Sequence, residues 1–490
     1  MVDKTSEKER INEMVHAKQW MTQEADTIGT SQEISPLSDG TVYSRRKNFC
    51  PFSTLPLEVY ASILGEEKIE RLHKVARRLK GLKLVELNAT AQGGGVAEML
   101  YSSIPFMNAL GIEAEWKVIG GNKDYFECTK SLHNQLQGMK GSFTTEMERV
   151  YFSRLEQCVR ANLIDNSPDV VIVHDPQPLG LIRYLKKPEQ TWLWRCHVYI
   201  EEAALRYNPG VWDFITGSTV LYDAAIFSSA QYVVSNWLPL NFIIPPFIDP
   251  LSEKNREMSE EEIGNVLAKY NLDPKVPIIA QIGRFDPWKG IGRTIATYRR
   301  VRKERRCQLV LAGGLAADDP EGERILTGIY DETKDDEDIH VLNLSLANRL
   351  ENYREVNALQ RAASVIMQPS IREGFGLAIT EALWKGKPVI ASDVGAIPLQ
   401  IREGDTGYFY KTPERTAQKV NYLLEKPRAA EIMGKRGKRY VEEHLLLPDR
   451  ITDCLMAIDI TMKATRDKEM HTNSIISFHP WLRLTKRRRD

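Results

Sequence analysis

The feature that most constrains this chain is an alternation that runs, stops at a group of prolines and starts again. From residue 82 short apolar segments alternate with longer amphipathic ones. They are LKLVELNAT (82–90), EAEWKVIG (113–120), DVVIVHD (169–175), WLWRCHV (192–198), AAIFSS (224–229) and NFIIPP (241–246). Apolar runs this short read as buried strands. Helical patterns lie between several of them, which implies a parallel sheet with right-handed crossovers. Pro245-Pro246-Phe247-Ile248-Asp249-Pro250 then interrupts the pattern, because each proline removes a donor and blocks a helix. Beyond it, VPIIAQIGRF (276–285), CQLVLAGG (307–314), DIHVLNLS (338–345), ASVIMQPS (363–370) and KPVIASDV (387–394) restart the alternation.

The fold class is therefore α/β, with two doubly wound, Rossmann-like domains at about 47–248 and 249–465 facing across a cleft. Residues 1–46 read as an N-terminal arm, and residues 466–490, ending in LTKRRRD, as a polar basic tail. Open α/β sheets bind ligands at the C-terminal ends of their strands, so the cleft is the expected site.

Composition narrows the classes. Lys plus Arg and Asp plus Glu are each 66, and a net charge of zero argues against a nucleic-acid binder. No apolar run approaches the ~20 residues that span a bilayer. The opening MVDKTSEKERINEM has no apolar signal core. Six cysteines form no CxxC pair and nine histidines no zinc-type spacing. The expectation is a cytoplasmic protein without a metal, a nucleic-acid partner or a membrane, acting on small molecules.

Four motifs carry chemistry. Asn88-Ala-Thr-Ala-Gln-Gly93-Gly94-Gly95-Val96-Ala97-Glu98 is a strand end, a glycine turn and a helix start. Such a turn lets backbone approach a ligand, and free N–H groups at the helix start suit phosphate. A dinucleotide fold competes here, with Glu113 or Glu115 as its ribose acid, although the spacing is not GxGxxG. Gly283-Arg284-Phe285-Asp286-Pro287-Trp288-Lys289-Gly290 opens the second domain, and a guanidinium fork beside an ammonium suits a diphosphate. Ser370-Ile-Arg372-Glu373-Gly374-Phe375-Gly376-Leu377 leads to Glu381. Its turn offers N–H groups at another helix start. Glu373 can accept from sugar hydroxyls, and Glu381 can hold both hydroxyls of a ribose. Finally, His174-Asp175-Pro176-Gln177-Pro178 ends a strand on the ligand side.

Taken in order, these motifs resemble the retaining glycosyltransferases of the GT-B fold. REGFGLAITE is similar to the E-x7-E signature of the nucleotide-sugar enzymes. NATAQGGGVAEML, TKSLHNQLQG, VIVHDPQP, WLWRCH, IDPLSEKN, RFDPWKG, DDPEG, REVNALQRAASVIMQPSIREGFGL and EALWKGKPVI resemble one subfamily. It comprises trehalose glycosyltransferring synthase and the retaining trehalose phosphorylase.

The resemblance implies site residues. Arg284 and Lys289 would hold a donor diphosphate, and Glu373 would touch the donor glucose. With His174 near the glucosyl unit, these are the expected catalytic residues. Gly94, Gly95, Gly374, Phe375, Gly376, Leu377 and Glu381 would bind the donor. Asp175 and Arg195 would contact the acceptor. The family pattern continues WRCH with Ile-Asp, where this chain has Val198-Tyr199, a departure on the acceptor side.

The implied reaction moves glucose from an NDP-glucose, UDP- or ADP-linked, to the anomeric hydroxyl of glucose, giving α,α-trehalose with retention. No cofactor is required. The alternatives are phosphorolysis of trehalose, transfer to another small acceptor, or a non-catalytic ligand-binding regulator. A homodimer is a family-based expectation.

Overall fold

The computed structural model describes residues 43–45 (as backbone), 57–164, 167–201, 207–234, 238, 240–315, 321–467 and 474–482. The expectations for residues 1–42, Asp318-Asp319 and 483–490 lie outside them.

Each apolar segment of the alternation is a strand, and most are buried along their whole length. The first sheet contains β1 (Tyr43–Arg45), β2 (Lys83–Asn88), β3 (Glu113–Val118), β4 (Val170–His174), β5 (Thr191–Cys196), β6 (Ala224–Phe227) and β7 (Leu240–Ile243). The second contains β8 (Ile278–Ile282), β9 (Gln308–Gly313), β10 (Ile339–Asn343), β11 (Val365–Gln368), β12 (Val389–Ala391) and β13 (Gly407–Phe409). A last strand, β14 (Ser474–Ser477), returns to the first sheet.

The orders are β1-β3-β2-β4-β5-β6-β7-β14 and β10-β9-β8-β11-β12-β13. Among the described residues every ladder is parallel except β1 against β3. Helices cover both faces, as parallel strands buried on two sides require. In the second sheet the chain winds outward one way from β8 and the other way from β11. In the first it diverges from β2 and β4. Each adjacent pair is a topological switch point, where the loops splay and leave a crevice.

Two crossings join the domains, and they run side by side. Ile248 N donates to Leu445 O at 3.1 Å, and Leu447 N to Ile248 O at 3.0 Å. The structure differs here from the boundaries read in the sequence. From Leu447 the chain is back on the first domain. The helix Leu447–Asp467 buries Leu447, Ile451, Cys454, Leu455 and Ile458 with Leu84, Ile172 and Leu193 of that sheet. β14 then pairs with β7, Ser474 opposite Leu240. The C-terminal unit therefore ends near residue 446, and part of the expected tail is sheet. The cause is an apolar stripe at helical spacing that continues the alternation, in which Pro448 sits in the first turn of the helix, where proline is tolerated, and so does not mark the change of domain. The five described cysteines, 128, 158, 196, 307 and 454, are buried and unpaired with one another. No helix among the described residues is long and apolar enough to cross a membrane.

Candidate active site

The four motifs follow β2, β4, β8 and β11, the four strands that flank the two switch points. The loops therefore meet across one cleft of about 350 Å³ lined by both domains. All the residues implied by the family resemblance except Arg195 line it.

The cationic end is built by the second domain and closed by the first. Lys289 Nζ lies 2.7 Å from Glu373 Oε2, and Ser370 Oγ donates to the same oxygen at 2.9 Å. Asp286 organises the RFDPWKG turn. Its Oδ1 accepts from Trp288 N at 2.8 Å, and its Oδ2 pairs with Lys130 at 3.1 Å. Lys130 comes from the first-domain helix Lys123–Leu136, whose Asn134 also accepts from Trp288 Nε1 at 3.0 Å. Burial works against the Asp286 charge, but Lys130, Arg284 and Lys289 together hold its carboxyl well below the usual range. His133 stands among the same three cations. Burial first, then Lys130 and Arg284, push its imidazole down to about 3, so it is neutral. The result is a concentration of positive charge aimed at one small volume.

The EGFG turn sits opposite. Gly376 has φ +88°, a left-handed conformation that favours glycine, and it starts the helix Leu377–Trp384. A Cβ on Gly374 would lie 2.2 Å from the carbonyl oxygen of His197, so the turn packs backbone to backbone against the first domain. Phe375 is buried in the core and offers the cleft its main chain. Leu377 packs against Gly95, whose added Cβ would meet it at 3.0 Å, whereas nothing lies within 4 Å of a Cβ on Gly94. The space beside Gly94 is open, as a glycine that admits a ligand would need.

At the other end Glu381, nearly buried, accepts from Gln360 Nε2 at 3.1 Å and pairs with Lys254 at 3.0 Å. Lys254 also pairs with Glu98 at 2.8 Å. The carboxylates come from different domains, and Lys254 comes from the segment just past the crossing. Burial opposes the Lys254 charge, but Glu381 and Glu98 outweigh it and raise its pKa. Burial raises the Glu98 pKa, Lys254 opposes, and Glu381 adds to the rise. Each Glu381 oxygen keeps a lone pair for a hydroxyl.

His174 ends β4, but both its ring nitrogens are occupied. Nε2 is 2.6 Å from Glu86 Oε2, and Nδ1 is 3.0 Å from His197 Nε2. Any ring hydrogen bond from this pair to a sugar therefore comes from His197. Asp175 holds φ +61° and accepts from His197 N at 2.7 Å. Asparagine and aspartate tolerate that left-handed region better than most residues.

Arg195 is a correction. It is buried, 5% exposed, and its Nη1 reaches Cys454 Sγ at 3.3 Å, behind the sheet and away from the cleft. Strand period sets this: Trp192, Trp194 and Cys196 share one face, and Leu193 and Arg195 the face under the helix Leu447–Asp467. Glu113 and Glu115 do not line the cleft either; Glu115 pairs with Lys117 at 3.2 Å. The dinucleotide reading thus has no ribose acid in place. Roles for Lys130, His133, Glu98, Lys254, Glu86 and His197 were missed, although TKSLHNQLQG, IDPLSEKN and WLWRCH contain four of them.

Comparison with known proteins decides the family. Residues 86–234 match the trehalose synthase N-terminal domain, and residues 263–440 match glycosyl transferases group 1. A trehalose synthase from Pyrococcus horikoshii is 43% identical over 80% of this chain and 93% of its own. The chain belongs to the trehalose synthase family of GT-B glycosyltransferases. A trehalose phosphorylase from Pleurotus sajor-caju is more distant, 30% identical over 74% of this chain and 55% of its own. The solved α,α-trehalose-phosphate synthase of Burkholderia vietnamiensis shares the fold. Its TM-score is 0.61 at 13% identity, over 80% of this chain and 98% of that one. This member of the family is thus an enzyme of trehalose-related glycosyl transfer. Among its described residues no three His, Cys, Asp or Glu side chains gather as a metal site would need.

Proposed function

We propose that this enzyme transfers glucose from an NDP-glucose to the anomeric hydroxyl of glucose, releasing NDP and forming α,α-trehalose. The observation that carries this reading is the arrangement of one cleft. Arg284, Lys289 and the N–H groups of residues 374–376 face one volume, with Glu373 beside it and Glu381 at the far end. A diphosphate fits between the cations, a hexose beside Glu373 and a ribose on Glu381. UDP- and ADP-glucose both satisfy this arrangement.

The hard step is departure of the diphosphate. The bond from glucose C1 to the diphosphate oxygen breaks, and the electron pair leaves on that oxygen. Arg284, Lys289 and the helix start stabilise the charge as it develops, in a site whose dipoles are already oriented. Lys130 adds to this field through Asp286. Lys289 leaves Glu373 for the diphosphate, and Glu373 becomes available to the sugar hydroxyls. The new C1–O bond forms on the face the diphosphate leaves, which retains the configuration. The proton of the incoming hydroxyl passes to the departing diphosphate oxygen. At that step Glu373 is engaged by Ser370 and the donor hydroxyls, and His174 by Glu86 and His197.

The test is product analysis with glucose and either UDP-glucose or ADP-glucose, without added metal, beside parallel tubes of trehalose with phosphate. A non-reducing disaccharide plus NDP is the expected result and ranks the nucleotides. Glucose 1-phosphate in the phosphate tubes alone would replace this reading with phosphorolysis. Silence in every tube would remove glucose as the acceptor.

A further inference from the structure

Lys254 stands between two carboxylates at the Glu381 end of the cleft, and the transfer step above gives it no task. Its Nζ lies 3.0 Å from Glu381 Oε1 and 2.8 Å from Glu98 Oε2. All three side chains line the cleft. The ring of Tyr353 flanks the ammonium, with its centroid 5.7 Å away. The Lys254 side chain is 14% exposed and that of Glu381 3%, so water screens this pair far less than it screens a surface ion pair.

The three residues belong to two bodies. Lys254 is fastened to the second domain. Asn357 Nδ2 donates to the carbonyls of Glu253 at 3.0 Å and Arg256 at 2.9 Å. The Asn255 carbonyl accepts from Trp384 Nε1 at 3.0 Å, and its Oδ1 accepts from Lys385 Nζ at 3.0 Å. Trp384 ends the helix Leu377–Trp384, which also carries Glu381. Lys254 and Glu381 therefore move together. Glu98 is in the first turn of the first-domain helix Gly95–Ala109, so its ion pair with Lys254 crosses between the domains.

Lone pairs and charge decide what the ammonium does. Glu381 accepts from Lys254 on Oε1 and from Gln360 Nε2 on Oε2 at 3.1 Å. An ionised carboxylate has about four acceptor positions, so one stays open on each oxygen for a pair of ribose hydroxyls. A protonated carboxyl turns one oxygen into a donor and loses that capacity. Glu98 competes with this state. Burial raises its pKa, Lys254 opposes, and Glu381 adds to the rise, so the two carboxylates already act on each other. Without a cation between them, two carboxylates in a buried site do not both stay charged.

We propose that Lys254 is a positioning residue that holds Glu381 as a two-oxygen acceptor for the ribose hydroxyls of the donor, against the Glu98 carboxylate that the first domain brings beside it. This rests on the nucleotide-sugar reading above. It makes ribose recognition depend on a cation of the crossing segment that need not touch the ribose.

The test is calorimetric binding of UDP, ADP and their 2′-deoxy forms to the full-length enzyme and three variants. Wild type should bind the ribose form of its preferred nucleotide about tenfold more tightly than the 2′-deoxy form, as one hydrogen bond to a charged acceptor requires. Lys254→Met should bring the two forms to within about twofold of each other, with the affinity for the 2′-deoxy form little changed. Glu98→Gln should keep the wild-type ratio, because Lys254 then serves Glu381 alone. The double variant, Lys254→Met with Glu98→Gln, should regain most of the ratio, because no second carboxylate remains to compete. A purely structural role predicts the opposite order, with the double variant weaker than either single one toward both forms. That order, or a wild-type ratio in Lys254→Met, would overturn this proposal alone. Should Lys254→Met fail to fold, the charge-balanced double variant decides by keeping or losing the ratio. A wild type that binds neither nucleotide, or binds ribose and 2′-deoxy forms equally, would overturn the ribose assignment of Glu381 and this proposal together.

Discussion

At the residue scale the cleft separates side chains held by one another from side chains held for a ligand. Arg284 is a third exposed and pairs loosely with Asp286 at 3.8 Å, so truncating it removes charge from the cleft without opening a core. Glu373 is held by Lys289 and Ser370, and Glu373→Gln conserves its volume. Each change should cost about 100-fold or more in kcat, the size measured when one preorganised donor to a developing charge is lost. Circular dichroism and the thermal midpoint should stay near wild type. Unchanged turnover in both variants would remove the diphosphate assignment. The sequence makes these residues legible because cations and carboxylates at strand ends have few structural uses. It does not make their partners legible. Lys254 meets Glu98 and Glu381 only because the crossing segment passes between the domains, and no local pattern encodes that meeting. Arg195 illustrates the converse. Its place in WLWRCH beside a motif histidine suggests the cleft, but strand period alone cannot say which face is the ligand's.

At the element scale the same logic applies to turns. Gly94 and Gly374 both line the cleft but differ in what surrounds them. Gly94 has extended backbone at φ −141° and open space where a Cβ would go. Gly94→Ala should therefore leave the thermal midpoint unchanged and raise the donor KM, because the added methyl occupies ligand space. Gly374→Ala places a methyl 2.2 Å from the His197 carbonyl, and backbone must move. It should lower stability by about 1–3 kcal/mol, as overpacking does, and lower activity with it. Equal effects of the two changes on the thermal midpoint would contradict the packing described here. Strand elements follow a related rule. The central strands were readable because both faces are buried and the run is continuous. The strands missed, β1, β13 and β14, are each at a sheet edge. An edge strand needs one partner and little apolar surface, so YSR, GYF and SIIS carry almost no signal.

At the scale of the whole molecule, the buried histidines set how the protein responds to acid. His133 is held down at about 3, against about 6.5 in an unfolded chain. Between those values the unfolded chain binds a proton that the folded one refuses. Stability is therefore fully present above about pH 6.5 and falls by about 1.4 kcal/mol per pH unit below it from this residue alone. His174, His197 and His444 act in the same sense, each lowered chiefly by burial, with His444 at about 4. Asp286 and Glu262, held below the usual carboxylate range, add a second loss once the pH nears 4. Glu98 and Asp249, raised by burial, offset part of the histidine loss in the interval just above the unfolded carboxylate value. His133, His174 and His197 line the cleft from the first domain, so protonating them sets like charges against Lys130, Arg284 and Arg195. The urea midpoint should accordingly fall steadily from pH 7 to pH 5, before the carboxylates titrate. A midpoint that stays level across that interval would mean that these imidazoles are charged in the folded protein.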